Sequence, residues 1–144
     1  MRIERFENEY RFLSNFWLCK VKYDGITYPS AEHAYQAAKV ENAIDRTPFL
    51  ACRTPGDAKR LGRHITLRSN WGAVKLAVMR EVVLEKFTAN EDLCNKLLKT
   101  GEAVLVEGNW WNDTYWGVCK GIGTNHLGKI LMQVRSELNS SKEG

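Results

Sequence analysis

Glu32, Gln36 and Lys39 stand at i, i+4 and i+7 in the run from Pro29 to Lys39, which carries no break after its first residue. At about 100° per residue these three share one helical face, while Ala31, Ala34, Tyr35 and Ala38 form an apolar stripe beside them. One short helix therefore offers a carboxylate, an amide and an amine in a row. A carboxylate can protonate a leaving base or activate water, and a lysine of lowered pKa can attack an aldehyde-level carbon to form a Schiff base. Together they suit cleavage at an anomeric carbon. A solvated outer face would show the same pattern, so the other polar features of the chain decide between the two.

Those features occur in two further places. Ser14 and Asn15 lie within Phe12-Leu13-Ser14-Asn15-Phe16, where large apolar side chains anchor a turn and leave two small polar groups facing a shared space. The second place is the stretch from Gly108 to Gly117, which holds Trp110, Trp111, Tyr115 and Trp116 beside Asp113. Gly117, Gly121 and Gly123 then approach Asn125, and a glycine-rich approach to a helix start is a ready phosphate cradle. Arg63, just past Gly62 at a helix end, suits either an anionic ligand or the helix dipole. A pocket with aromatic walls, carboxylates, a lysine and a phosphate cradle fits a nucleotide or sugar-phosphate, and no metal or other cofactor is called for.

The elements that must position these groups are legible from local signals. Arg2 to Phe6 alternates as a short strand. Leu18 to Tyr28 reads as a hairpin turning at Asp24-Gly25, Pro29 ends its second strand, and Ser30 caps the helix that carries Glu32. His33 points elsewhere on that helix and reads as a structural histidine bonded to a loop. A helix is expected over Asn42 to Cys52, and another from Thr54 (cap) and Pro55 to about Gly62. The longest runs from about Gly72 to Thr88, with Val74, Ala77, Val78, Val82 and Leu84 inward. Asn90 caps a short helix with Leu93, Leu97 and Leu98 inward. A strand over Ala103 to Glu107 follows, and Asn125 caps a last helix with Leu127, Leu131, Val134 and Leu138 inward. The fold class is α+β, mainly helical with a small antiparallel sheet or hairpin, in one domain over residues 1–138 with a frayed polar tail at 139–144.

Composition narrows the function classes. The chain has 144 residues, 44% hydrophobic and 26% charged, which is a globular balance and excludes disorder as the default. Cys19, Cys52, Cys94 and Cys119 form no CxxC pair, so reduced, mostly buried thiols are expected. The net charge of +4 is compatible with an anionic small molecule but too dispersed to argue for a nucleic-acid surface. With no apolar run of membrane length and no signal-peptide core at the first residues, a cytoplasmic protein without membrane attachment is expected.

The order of motifs resembles the NADAR (YbiA-like) family. The likeness is carried by Phe-Leu-Ser-Asn-Phe (12 to 16), Tyr-Asp-Gly-Ile-Thr-Tyr-Pro-Ser-Ala-Glu-His-Ala-Tyr-Gln-Ala-Ala-Lys (23 to 39), Leu-Gly-Arg (61 to 63) and Leu-Arg-Ser-Asn-Trp (67 to 71). It continues through Leu-Val-Glu (105 to 107), Asp-Thr-Tyr-Trp-Gly (113 to 117) and Gly-Ile-Gly-Thr-Asn-His-Leu-Gly (121 to 128), so that it covers about residues 6 to 138. Many members have Trp where Tyr28 stands and Phe where Val40 stands, changes that alter the pocket wall slightly. The resemblance implies a mainly helical α+β fold and N-glycosidase activity. Two forms are implied: hydrolysis of ribosylamino-pyrimidine phosphates of riboflavin synthesis, and removal of ADP-ribose from guanine in nucleic acid.

Carried over by matching motif, the family pattern points to Glu32, Lys39, Asn15, Arg63, Asp113 and Trp116. Our assignment makes Lys39 the Schiff-base nucleophile and Glu32 or Asp113 the proton carrier, with Ser14, Asn15, Gln36, Arg63, Trp116, Gly117 and Asn125 binding substrate. The expected partner is a small nucleotide or sugar-phosphate, or ADP-ribosylated nucleic acid. A non-catalytic ADP-ribose or NAD-binding module is the alternative, and it would not need Glu32 and Lys39 on one helical face. A protein that only binds RNA or DNA ranks third.

Overall fold

The computed structural model describes residues Met1 to Glu143. The chain opens with β1 (Arg2–Ile3) and a 3-10 turn at Asn8–Leu13, then a hairpin of β2 (Leu18–Tyr23) and β3 (Ile26–Ser30). Helix α1 (Ala31–Ala37) follows at once, and a second 3-10 turn at Ala43–Arg46 leads to the single turn α2 (Thr47–Leu50). Next come α3 (Pro55–Leu61), the long α4 (Trp71–Ala89) and α5 (Glu91–Lys99). The last third holds β4 (Val104–Leu105), β5 (Gly108–Asn109), β6 (Val118–Cys119) and α6 (His126–Glu143). This is an α+β fold, mainly helical with two-stranded sheets. Among the described residues no helix is long and apolar enough to cross a membrane.

The chain divides into two compact units, one of residues 15–90 and one of residues 1–14 with everything from Glu91 onward. In the first, the hairpin turns as its sequence predicts. Asp24 (φ 48°) and Gly25 (φ 83°) both take the left-handed conformation that a tight two-residue turn requires. Alternation then buries Val21, Tyr23, Tyr28 and Ser30. β3 runs through Pro29 to Ser30, past the expected stop, because in a two-stranded ribbon a proline can turn its missing donor outward.

Ser30 ends the strand and caps α1, its Oγ accepting from the His33 N–H at 3.1 Å. The Asn15 carbonyl accepts from the Glu32 N–H at 3.0 Å, so a second open donor of the first turn is satisfied. Every residue of α1 is buried. Ala31, Ala34, Ala37 and Ala38 are fully so, and their small side chains let the hairpin, α2, α3 and α4 all pack against this one helix. The Glu32–Gln36 face is therefore interior, and the solvated-face reading fails. His33 has the structural role expected of it, with Nδ1 2.7 Å from Ser30 Oγ and Nε2 3.0 Å from the Cys52 carbonyl oxygen.

The helix expected over 42–52 is broken into the 3-10 turn and α2. Pro48 lacks the N–H a continuous helix would use and restarts the chain. Arg46, 3% exposed, is pinned at the break by Asp24 Oδ2 at 2.6 Å and the Val40 carbonyl at 3.1 Å. Thr54 caps α3 as predicted, Oγ1 accepting from the Asp57 N–H at 3.0 Å. On α4 the buried stripe is Trp71, Val78, Met79, Val82, Val83, Lys86 and Phe87, turned from the expected one: Ala77 is exposed, and Val74 and Leu84 are half-buried. Packing against β2 and α1 selects this seam. Asn90 bonds back to the Lys86 and Lys20 carbonyls through Nδ2.

In the second unit β1 pairs with β4 and β5 with β6, both in parallel. The antiparallel expectation holds only for the hairpin, because parallel partners need a long connection that local turn signals do not announce. The strand expected at 103–107 is only Val104–Leu105, and Cys94 rather than Leu98 joins Leu93 and Leu97 in the core. Leu127, Leu131, Val134 and Leu138 are all buried on α6, as predicted. That helix continues through residues 139–143, read from sequence as a frayed tail, and Lys142 Nζ donates to Asn95 Oδ1 at 2.8 Å. Gly144 lies outside the described residues.

Candidate functional site

Lys39 sits two residues beyond the last residue of α1, and its backbone is held on both sides. Its N–H donates to the Gln36 carbonyl at 3.2 Å, and its own carbonyl accepts from the Arg68 N–H at 2.8 Å. The side chain is half-buried, with Nζ 5.7 Å from the centroid of the Tyr35 ring. Tyr35 in turn packs on Trp71 at 5.3 Å with a 54° tilt. Burial pushes the Lys39 pKa below the ordinary lysine value, Glu32 opposes that, and the positive charges of Lys59, Arg63 and Lys75 reinforce it. Both depressing causes favour the neutral, nucleophilic amine.

Three cations and one carboxylate thus act around a single amine. Lys59 and Arg63 come from α3 and its exit, Lys75 from α4, and Glu32 from α1 itself. Sequence reading missed Lys59 and Lys75. Their signal is helical spacing: Lys59 stands four residues before Arg63, and Lys75 four after Trp71, each on a face with a residue of interest.

Glu32 is 8% exposed, and its Oε2 accepts from Gln36 Nε2 at 2.6 Å. A carboxylate removed from water needs such donors to stay charged. Gln36 is 4% exposed, and its Oε1 finds no hydrogen-bond partner. Asn15 is buried in the same unit, its carbonyl on the first turn of α1 and its Nδ2 3.4 Å from Met79 Sδ. The structure therefore gathers Asn15, Glu32, Gln36, Lys39 and Arg63 in one unit.

Asp113, Trp116, Gly117 and Asn125 belong to the other unit, where backbone bonds occupy most of what they offer. Asp113 Oδ1 accepts from the N–H groups of Tyr115 at 3.1 Å and Trp116 at 2.8 Å. The buried Asn109 clamps the same loop, accepting from the Asp113 N–H at 3.0 Å and donating to the Asp113 carbonyl at 2.8 Å. Asn125 accepts from the Glu107 N–H at 3.0 Å and donates to the Leu105 carbonyl at 2.9 Å. A side chain at Gly117 would overlap the Glu107 carbonyl. Trp116 stacks edge-on against Tyr115 at 4.8 Å.

The expected phosphate cradle is otherwise engaged. At the start of α6 the N–H groups of Asn125, His126 and Leu127 donate to the carbonyls of Gly117, Tyr115 and Trp116. Gly117 and Asn125 thus lock loop to helix. Ser14 closes the first 3-10 turn through its N–H to the Arg11 carbonyl at 3.0 Å. Beyond Lys39 a cleft of about 550 Å³ is lined by Val40, Glu41, Asp45, Leu67 and Arg68 among others, and includes none of the residues assigned from sequence to catalysis or substrate binding. Among the described residues no three His, Cys, Asp or Glu side chains gather to hold a metal ion.

Comparison with known proteins agrees with the motif pattern. The NADAR domain model matches residues 3–139, across both units. An N-glycosidase of Nostoc punctiforme is 41% identical over 137 residues, covering 91% of this chain and 87% of that protein. The N-glycosidase YbiA of Escherichia coli is 39% identical over 138 residues, covering 94% and 86%. A riboflavin biosynthesis protein of Vibrio vulnificus is 38% identical over 135 residues, and this chain spans only 36% of its length. The NMR structure of Escherichia coli YbiA superposes with a TM-score of 0.85 at 37% identity, over 99% of this chain and 86% of that one. By family model, by relatives named as N-glycosidases and by fold, this chain belongs to the NADAR family.

Proposed function

We propose that this chain is an N-glycosidase that cleaves the C1–N bond of a ribosyl phosphate or ADP-ribosyl substrate, with Lys39 attacking and Glu32 carrying the proton. The observation that supports it is a half-buried lysine of depressed pKa just beyond the end of the helix that carries a buried carboxylate, in a chain whose relatives are named N-glycosidases. The neutral Lys39 amine bonds to C1 and gives up a proton to Glu32. Glu32 passes that proton to the departing nitrogen as the C1–N bond breaks, and the C1–O bond of the sugar ring then opens, its oxygen taking up a proton from solvent, to leave an iminium between Lys39 and C1. Water then hydrolyses the iminium, which frees the sugar as its aldehyde and restores the amine. Glu32 suits the proton role better than Asp113, whose Oδ1 holds two backbone N–H groups.

Lys59, Arg63 and Lys75 suit the phosphate that both substrate types carry. The relatives named for riboflavin biosynthesis favour a ribosylamino-pyrimidine phosphate, and ADP-ribosylated guanine is the second substrate to try. The test is a chromatographic assay of both with wild type and Lys39→Ala, with borohydride added in parallel. Ribose 5-phosphate or ADP-ribose released by wild type only, with a reduced sugar adduct on Lys39, supports the mechanism. Equal rates in the two proteins overturn it, and micromolar ADP-ribose binding without turnover would instead indicate a binding module.

A further inference from the structure

The geometry points to Gln36 as a positioning residue for the glycosidase reaction: it holds the Glu32 carboxylate in one orientation and in its charged form, and does not touch substrate. This rests on the reading that Glu32 carries the proton. Three observations support it. Gln36 Nε2 donates to Glu32 Oε2 at 2.6 Å, a short bond to an acceptor that, ionised, can only accept. The other end of the amide, Oε1, is buried and has no partner. It faces the Cα of Gly62, and a methyl group there would overlap both Oε1 and the amide carbon.

The unpartnered oxygen decides the role. A buried acceptor left without a donor is unfavourable, so an amide free to choose would turn to find one. Turning this amide would set its oxygen against the Glu32 carboxylate, oxygen to oxygen. The bond to Glu32 therefore holds the amide in this orientation, and Gly62 leaves the room for it. Nε2 is committed to Glu32, and Oε1 is buried against the Cα of Gly62. The charged groups that act on the pair's surroundings are Lys39 just past α1, Lys59 and Arg63 from α3 and its exit, and Lys75 on α4.

The test compares wild type, Gln36→Met, Gln36→Glu and Gly62→Ala. The Met side chain keeps the length and removes the donor, the Glu side chain keeps the shape, and Gly62→Ala moves the amide without removing it. The Glu32 carboxyl is titrated by 13C NMR, and kcat and KM are measured from pH 5 to 9 on the substrate that wild type turns over. If Gln36 positions Glu32, its titration and the acid limb of kcat move up by about one unit or more in Gln36→Met and in the same direction in Gly62→Ala, while KM changes less than about twofold. If Gln36→Met does not fold, Gln36→Glu and Gly62→Ala carry the same readout. A raised KM with both pH profiles unchanged would make Gln36 a substrate contact and overturn the inference. Wild-type rates in Glu32→Gln would instead overturn the proton-carrier role, a failure read from a different variant.

Discussion

Gln36 and Gly62 are fitted to one another: the Cα of Gly62, at the exit of α3, lies against the side-chain oxygen of Gln36 in α1, leaving no space for a methyl group. Gly62 has an ordinary helical backbone (φ −60°), so its lack of a side chain serves this contact and no unusual dihedral. Gly62→Ala should displace the amide and with it the Glu32 carboxylate. We expect kcat to fall about 10- to 100-fold while the melting temperature changes by a few degrees, checked by steady-state kinetics and thermal denaturation.

Lys39 separates catalysis from stability. Its pKa in the folded chain lies below the unfolded value, so the unfolded state holds more protons in the window between the two, and stability rises with pH across that window. At neutral pH the charged lysine is a burden on the fold. Lys39→Met should lose turnover by at least ~10³-fold yet melt no lower than wild type at pH 7, with any gain fading as the pH approaches 10.5. Parallel melts at pH 7 and pH 10 check the sign.

Lys59 and Lys75 each depress the Lys39 pKa through their charge. Neutralising either, as Lys59→Gln or Lys75→Gln, should raise it, so the alkaline rise in kcat moves to higher pH. If the same cations draw in a phosphate, KM rises in both variants, and salt raises KM less steeply than in wild type. Unchanged pH and salt profiles in both variants would remove these lysines from the site.

Asp113 and Asn125 hold the late loop through backbone bonds, which predicts a stability phenotype. Asn125→Ala strands the Glu107 N–H and the Leu105 carbonyl and should cost about 2 kcal/mol; Asp113→Ala frees two loop N–H groups that water can reach and should cost about 1 kcal/mol. Urea denaturation measures both. A full-strength fold with abolished turnover in Asp113→Ala would return that carboxylate to the chemistry.

What the sequence by itself determined is what short-range physics controls. Asp24-Gly25 turns the hairpin, Ser30 and Thr54 cap α1 and α3, and the spacing of Glu32 and Gln36 sets them on one face of α1, with Lys39 two residues past its end, because dihedral preference and i+4 neighbourhood extend over only a few residues. The motif order also carried the family. Tertiary structure decided everything that depends on distant partners. It buried the polar face of α1, which in sequence is indistinguishable from a solvated one. It brought Lys59 and Lys75 to bear on Lys39, and it spent Asp113, Asn125 and the start of α6 on backbone bonds. Desolvation and Coulomb interaction depend on proximity in space, and neither is written in the spacing of residues along the chain.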